Sequence, residues 1–379
     1  MRYSLLLGLV LLLTLASGVF AQTAECPSWQ VGDKWAWGGS YDLKEVVVPF
    51  LQELVRSGEV GSWKCDGKLE SYEVVKIDAI EEECYLASVK GGSALEFELS
   101  LNPQAAGESP LEVSAQGVIK ANGTRSITVR QLAFKTAAIA ITGDFSFTVK
   151  TTGLKMSFSV RDFRVDLSVL ADEPLDFFNF PIEVGENWTF RSRLRESFSL
   201  CGRVEGNISM FGYENSFSEE IREENFVDVI VEGFCTCPRM VEMKVDEIPD
   251  NCFEIKIHSR FTQPTGFVLP IVFTLYYSPS KRQVIASSFD LVDILSAFET
   301  SIKTVGREIS PELGGSFEEL GRALQSISEV EGTLSITSLS PQEALRRIEE
   351  IGKKSEIPWV LLGIPAVIIA CILLVRKFY

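Results

Sequence analysis

Histidine is nearly absent from this chain: His258 is the single one. A histidine-rich zinc site is therefore excluded, and a Ser–His–acid hydrolase would have to be built on that one ring. It falls on an expected strand, Glu254–Ser259, where a structural role is the simpler one. No nucleophile elbow is present, and no glycine-rich phosphate loop follows a strand. Positive charge is also scarce. Lys and Arg total 36 against 52 Asp and Glu, for a net charge of −16. That balance argues against nucleic acid and against docking on anionic head groups. The expectation is a non-enzymatic protein with no cofactor.

What the chain does contain is a duplication. Val31-Gly-Asp-Lys-Trp-Ala-Trp37 returns as Val184-Gly-Glu-Asn-Trp-Thr-Phe190, at an offset of 153 residues. Lys76-Ile-Asp-Ala-Ile-Glu-Glu-Glu-Cys-Tyr85 returns as Lys244-Val-Asp-Glu-Ile-Pro-Asp-Asn-Cys-Phe253, at an offset of 168. In the first mark Gly32 and Gly185 favour a tight turn. Trp35 and Trp188 open a strand, so all four are expected to be structural.

Between the marks, strand periodicity dominates. Phe145, Phe147 and Val149 alternate with polar residues, Thr151-Thr-Gly153 turns the chain, and Leu154, Met156, Phe158 and Val160 alternate again. The phase slips at Arg161-Asp162 before Phe163, Val165, Leu167 and Val169, which predicts a bulge or bend. Asn122-Gly123 reads as a two-residue hairpin turn. One helix interrupts the first copy: Leu43, Val46, Val47, Phe50, Leu51, Leu54 and Val55 form an apolar stripe with Pro49 inside it. The corresponding Arg191–Glu205 is more polar and less clearly helical. After Phe289 the pattern becomes helical, with capping boxes at Ser316–Glu319 and Ser340–Glu343.

The ends read as targeting and anchoring segments. Residues 1–21 resemble a secretory leader. Residues 357–375 carry no charge and are long enough to span a bilayer, with Arg376 and Lys377 closing a cytoplasmic tail, 376–379. The body is then expected outside a cell membrane, tethered to the lipid bilayer by one span. In that compartment cysteines pair, and Cys65–Cys84 and Cys252 with Cys235 or Cys237 are the economical bridges. Cys201 takes the remaining one and Cys26 is left odd. The alternative is that Cys235-Thr-Cys237 forms a thiolate metal site with Cys201 or Cys252, or acts as a redox pair. Asn122, Asn187 and Asn207 head glycosylation sequons. The acidic runs Glu81–Glu83, Glu219-Glu220 and Glu223-Glu224 lack calcium-loop spacing and read as solvated turns.

At the Val31–Trp37 and Val184–Phe190 marks the chain resembles archaeal exported proteins that carry a Val-Gly-Asp-x-Trp-x-aromatic motif at the head of a β-rich domain. Phe178-Asn-Phe-Pro181 and Tyr276-Tyr-Ser-Pro279 add to the likeness. The resemblance implies curved antiparallel sheets, loosely similar to the half-barrels of lipoprotein carriers, and a surface location; it carries over no catalytic residues. The expected organisation is a leader (1–21), a first β domain (22–178) with an inserted helix (43–57), and a second β domain (179–289). A helical membrane-proximal segment (290–356) then leads to the span. The expected role is a surface protein that binds a partner or serves the envelope. The alternative is a carrier for an apolar, lipid-like ligand lined by Phe50, Leu51 and Leu54.

Overall fold

The computed structural model describes residues 26–353, except 57–59, 104–108, 246–247, 265–267 and 291–332. The leader, the span, the tail and the Ser316–Glu319 capping box lie outside the described residues. Among the described residues no helix is long and apolar enough to cross a membrane.

The strands are β1 (Lys34–Asp42), β2 (Ser62–Glu81), β3 (Cys84–Asn102), β4 (Leu111–Thr128), β5 (Phe134–Thr151) and β6 (Leu154–Leu175). They continue with β7 (Asn187–Met210), β8 (Tyr213–Val245), β9 (Ile248–Thr262), β10 (Val268–Ser278), β11 (Gln283–Asp290) and β12 (Thr333–Ser338). Helix α1 (Lys44–Arg56) joins β1 to β2, and α2 (Pro341–Lys353) follows β12. Each strand pairs antiparallel with its sequence neighbours, and β1 pairs with β12, so the twelve strands close one barrel. This corrects the expectation of two tandem half-barrel domains. Each copy supplies six strands, and the copies are joined edge to edge by β6–β7 and β1–β12.

The duplicated turn explains its own residues. Gly32 and Gly185 sit at φ +100° and +91°, where a side chain is strained. Gly32 N–H donates to the Ile77 carbonyl and Gly185 N–H to the Cys237 carbonyl, at 2.8 and 2.7 Å. The following acid then folds back: Gln30 N–H donates to Asp33 Oδ2 (2.8 Å) and Glu183 N–H to Glu186 Oε2 (3.3 Å). The second mark is only half equivalent. Tyr85 opposite Ile80 and Phe253 opposite Met240 correspond, but Ile77 corresponds to Cys237 rather than Val245. The extra residues lengthen the β8–β9 hairpin at its tip.

The alternation across the strands places apolar side chains inside. Val75, Val89, Gly123, Ile139, Leu167 and Phe198 are successive register partners around the wall. Most of them belong to one continuous buried core, which also takes in Trp37, Val231, Ile255, Phe273 and Tyr277. Outside, the faces are charged and laddered by cross-strand pairs such as Arg195–Asp172 (2.7 Å), Arg191–Glu232 (3.6 Å) and Arg193–Asp228. A membrane-spanning barrel carries the reverse pattern, with its apolar residues outward.

The β5–β6 hairpin turns at Gly153 (φ +77°). The phase slip is a bulge in which Asp162, at φ +52°, donates its N–H to Asp144 Oδ1 at 2.8 Å. Asn122-Gly123 does not turn; β4 runs straight through it. A Cβ on Gly123 would stand 2.3 Å from the Ala138 carbonyl oxygen, so the glycine serves close strand approach. Arg191–Glu205 is strand, part of β7. The expected helical segment 290–356 is also corrected: Thr333–Ser338 is the strand that closes the barrel.

Within that segment α2 is helical as expected. Ser340 Oγ accepts the Glu343 N–H at 3.2 Å, and Ala344, Ile348 and Ile351 are buried against Ala36, Tyr72, Val74, Ala94 and Val118 on the outer face of β1–β4. Ile348 lies over Gly92.

Candidate functional site

The barrel has walls of unequal height. Strands β2–β8 run 18 to 33 residues, whereas β9–β12 and β1 run 6 to 15. The end that carries the duplicated turns is filled. Trp29 stacks near Trp35 and Tyr85 at 4.6 and 4.9 Å, and Tyr85 Oη accepts the Trp29 N–H at 2.9 Å. Trp188 packs against the same core, as do Phe177 and Phe178. At the far end the tall strands rise past the short ones.

One register row shows the consequence. Gly67, Phe97, Ala115, Phe147, Phe158, Gly206 and Phe217 are successive partners from β2 to β8 on the inner face. At its start the row is covered by α1. Leu43 donates its N–H to the Gly67 carbonyl (2.9 Å), and a Cβ on Gly67 would meet Phe97 and Leu43 within 3 Å. Leu43, Val47 and Leu51 are buried. Phe147 and Phe158 are only half-buried, and Phe217 is 39% exposed. Phe217 lies across Gly206, where any Cβ would collide with its ring, and reaches Phe158 at 6.1 Å between centroids. Around this row Phe145, Met156, Val160, Val204, Ile208 and Ile221 are half-buried as well. The two hairpin tips meet where Phe211 covers Gly153, and there Met210, Phe211 and Tyr213 are 49, 78 and 80% exposed.

The wall also ends in an unpaired edge. The register of β8 with β9 begins at Ile230, so among the described residues Tyr213–Val229 pairs only with β7. Glu219-Glu220 and Glu223-Glu224, expected in turns, lie on this strand.

The interior holds few polar groups. Arg125, 4% exposed, is ion-paired with Glu73. Glu196 on β7 faces inward, 3% exposed, and its Oε1 has no partner among the described residues. Burial alone pushes its carboxyl up to about 8. Asp176 is raised to about 7, chiefly by burial and against the pull of the Phe178 N–H.

The sequence-nominated residues scatter. Cys65 and Cys84 lie fifteen residues apart along the paired β2–β3, about 50 Å, and cannot bridge. Cys252 lies on the outer side with Ile285, whereas Cys235 and Cys237 face the core. Cys201 is exposed opposite Arg164. All of these cysteines are free thiols, which corrects the expected bridges, and Cys26 donates from Sγ to the Val129 carbonyl. Burial raises the Cys235 and Cys237 thiols, the latter to about 11, which opposes thiolate chemistry at Cys235-Thr-Cys237. His258 stacks on Phe234 at 4.5 Å on the outer face. Asn122, Asn187 and Asn207 are exposed, each on a strand. Of the helix residues nominated for an apolar ligand, Leu51 is buried, and the Phe50 and Leu54 side chains lie outside the described residues.

The residues that build the open wall were missed. The signal for them is an alternating apolar face on β5–β8 that runs beyond the length of the strands opposite. No family model, curated protein or solved structure matches this chain.

Proposed function

We propose that this is a non-enzymatic surface protein, displayed outside the cell membrane and tethered by its C-terminal apolar run. The closed barrel is a rigid base, and the distal wall of β5–β8 is the surface that receives a partner. The observation that supports this reading is the register row from Gly67 to Phe217. It is sealed by α1 at one end and half-open at the other, without a covering element among the described residues. Exposed apolar surface gathered in one patch and rimmed by charge marks an interaction site. A second reading, capture of an apolar ligand on the same wall, draws on the continuity of that row with Gly67 and Phe97, where Leu43 at the head of α1 closes over it.

A benzophenone amino acid placed at Phe158 of the full chain, in its own membrane, tests the reading. A discrete protein adduct is expected there and not from the outward-facing Ser168. A lipid-sized adduct would favour the second reading, and equal labelling at both positions would overturn both.

A further inference from the structure

The unpaired edge of β8 narrows the partner's chemistry; this rests on the reading of the distal wall as a binding surface. Tyr213–Val229 is seventeen residues of extended backbone, about 55 Å of edge, that has no strand partner on its far side among the described residues; on that side the Phe226 N–H is taken by Asn225 Oδ1 at 2.8 Å. Natural edges of that length are normally shortened, bulged, interrupted by proline or guarded by charge against pairing with a copy of themselves. This one has no proline and no bulge in its register with β7. Residues Tyr213–Glu220 are all exposed.

The charge on it is predominantly negative. Glu214, Glu219, Glu220, Glu223, Glu224 and Asp228 line the strand against the single Arg222. Glu219 and Glu223 share the inner face with Phe217 and Ile221, while Glu214, Glu220 and Glu224 lie on the outer face. Among the described residues Arg203 reaches Glu220 at 3.5 Å, Arg193 pairs with Asp228, and no ion pair reaches Glu214, Glu219, Glu223 or Glu224. A second copy pairing antiparallel here would bring like charges together across the junction, which disfavours it. The segment 291–332 of the same chain is itself net acidic and is disfavoured for the same reason.

We infer that the β8 edge is a strand-addition site for an extended basic peptide segment. Such a strand would take the free main-chain groups of Tyr213–Val229. It would set Lys or Arg side chains against the glutamates on both faces and place its apolar residues beside Phe217 and Ile221.

The test uses the full chain in a lipid nanodisc and three synthetic decapeptides: alternating Lys-Val, alternating Glu-Val, and Lys-Val with a central proline. Hydrogen–deuterium exchange follows the amides of Tyr213–Val229. The Lys-Val peptide is expected to protect them and the other two are not. Reversing Glu219, Glu220, Glu223 and Glu224 to Lys, all on the solvated strand, should swap the preference to Glu-Val. Four cross-strand ion pairs change the dissociation constant by about tenfold or more. Protection by neither charged peptide, or by both equally in both proteins, overturns the inference. The Phe158 adduct is read separately, so loss of the edge site leaves the binding wall standing or not on its own result.

Discussion

Glu196 offers a quantitative probe of how dry the barrel is. Its side chain is buried among Leu194, Phe198, Val169 and Val227, its immediate neighbours along β7 and its register partners on β6 and β8. Its carboxyl is held at about 8 against an ordinary 4.5, with burial as the cause. Between those values the folded chain binds one more proton than the unfolded chain, so stability falls as pH rises. Below about 4.5 both states are protonated and the cost vanishes; above about 8 it is complete. Each unit corresponds to about 1.4 kcal/mol, so the loss between pH 4.5 and 7 is roughly 3 kcal/mol. Asp176, raised to about 7, acts with the same sign. The exposed Glu343, lowered to about 2 by Arg346 and Arg347, acts with the opposite sign at acid pH. Both are present in wild type and in Glu196→Gln, and cancel in the difference. Urea unfolding of the two full chains from pH 4.5 to 8.5 should give curves that converge at the acid end. They should then separate by roughly 3 kcal/mol at pH 7, the variant being the more stable. Parallel curves would mean that Glu196 is ionised in the fold, and the reasoning from burial would fail.

The duplicated turn predicts matched losses. Gly32→Ala and Gly185→Ala each force a side chain into the left-handed region and should each cost about 1–2 kcal/mol, read as a shift in the urea midpoint. Ser340→Ala removes the acceptor for the Glu343 N–H and should cost about 1 kcal/mol, with faster amide exchange in the first turn of α2.

Local structure was legible wherever a short-range rule governs it. The turn at Gly32-Asp33, the bulge at Asp162, the hairpin at Gly153 and the cap at Ser340 each follow from two or three neighbouring residues. Asn122-Gly123 misled because the same dipeptide meets two needs. A glycine allows a type I′ turn, and it also lets Ala138 of the next strand come close, which local sequence does not distinguish. Closure was illegible for a related reason. It depends on pairings between Trp37 and Ser338 and between Leu154 and Met210, far apart in sequence and on strands whose periodicity is the same in an open sheet. Strand β12 has only six residues inside a stretch whose neighbours read as helical. The expected disulfides failed because spacing along the chain says nothing of which face or end of a long strand a cysteine occupies. The binding wall was half legible. The alternation of Phe145, Phe147, Met156 and Phe158 was read, but its exposure follows from the shortness of β9–β12 opposite.

The most direct test is whether the two copies share one barrel. Phe190 belongs to the second copy, is 6% exposed, and meets Phe177 edge-on at 5.0 Å in the common core. Phe190→Ala should cost about 3–5 kcal/mol. Native-state hydrogen exchange on the full chain then reads where that loss is felt. In a single closed barrel the slowest amides of β3 and β4, in the first copy, lose the same free energy of protection as those of β8 and β9. A loss confined to β7–β12, with β3 and β4 unchanged, would contradict the shared barrel.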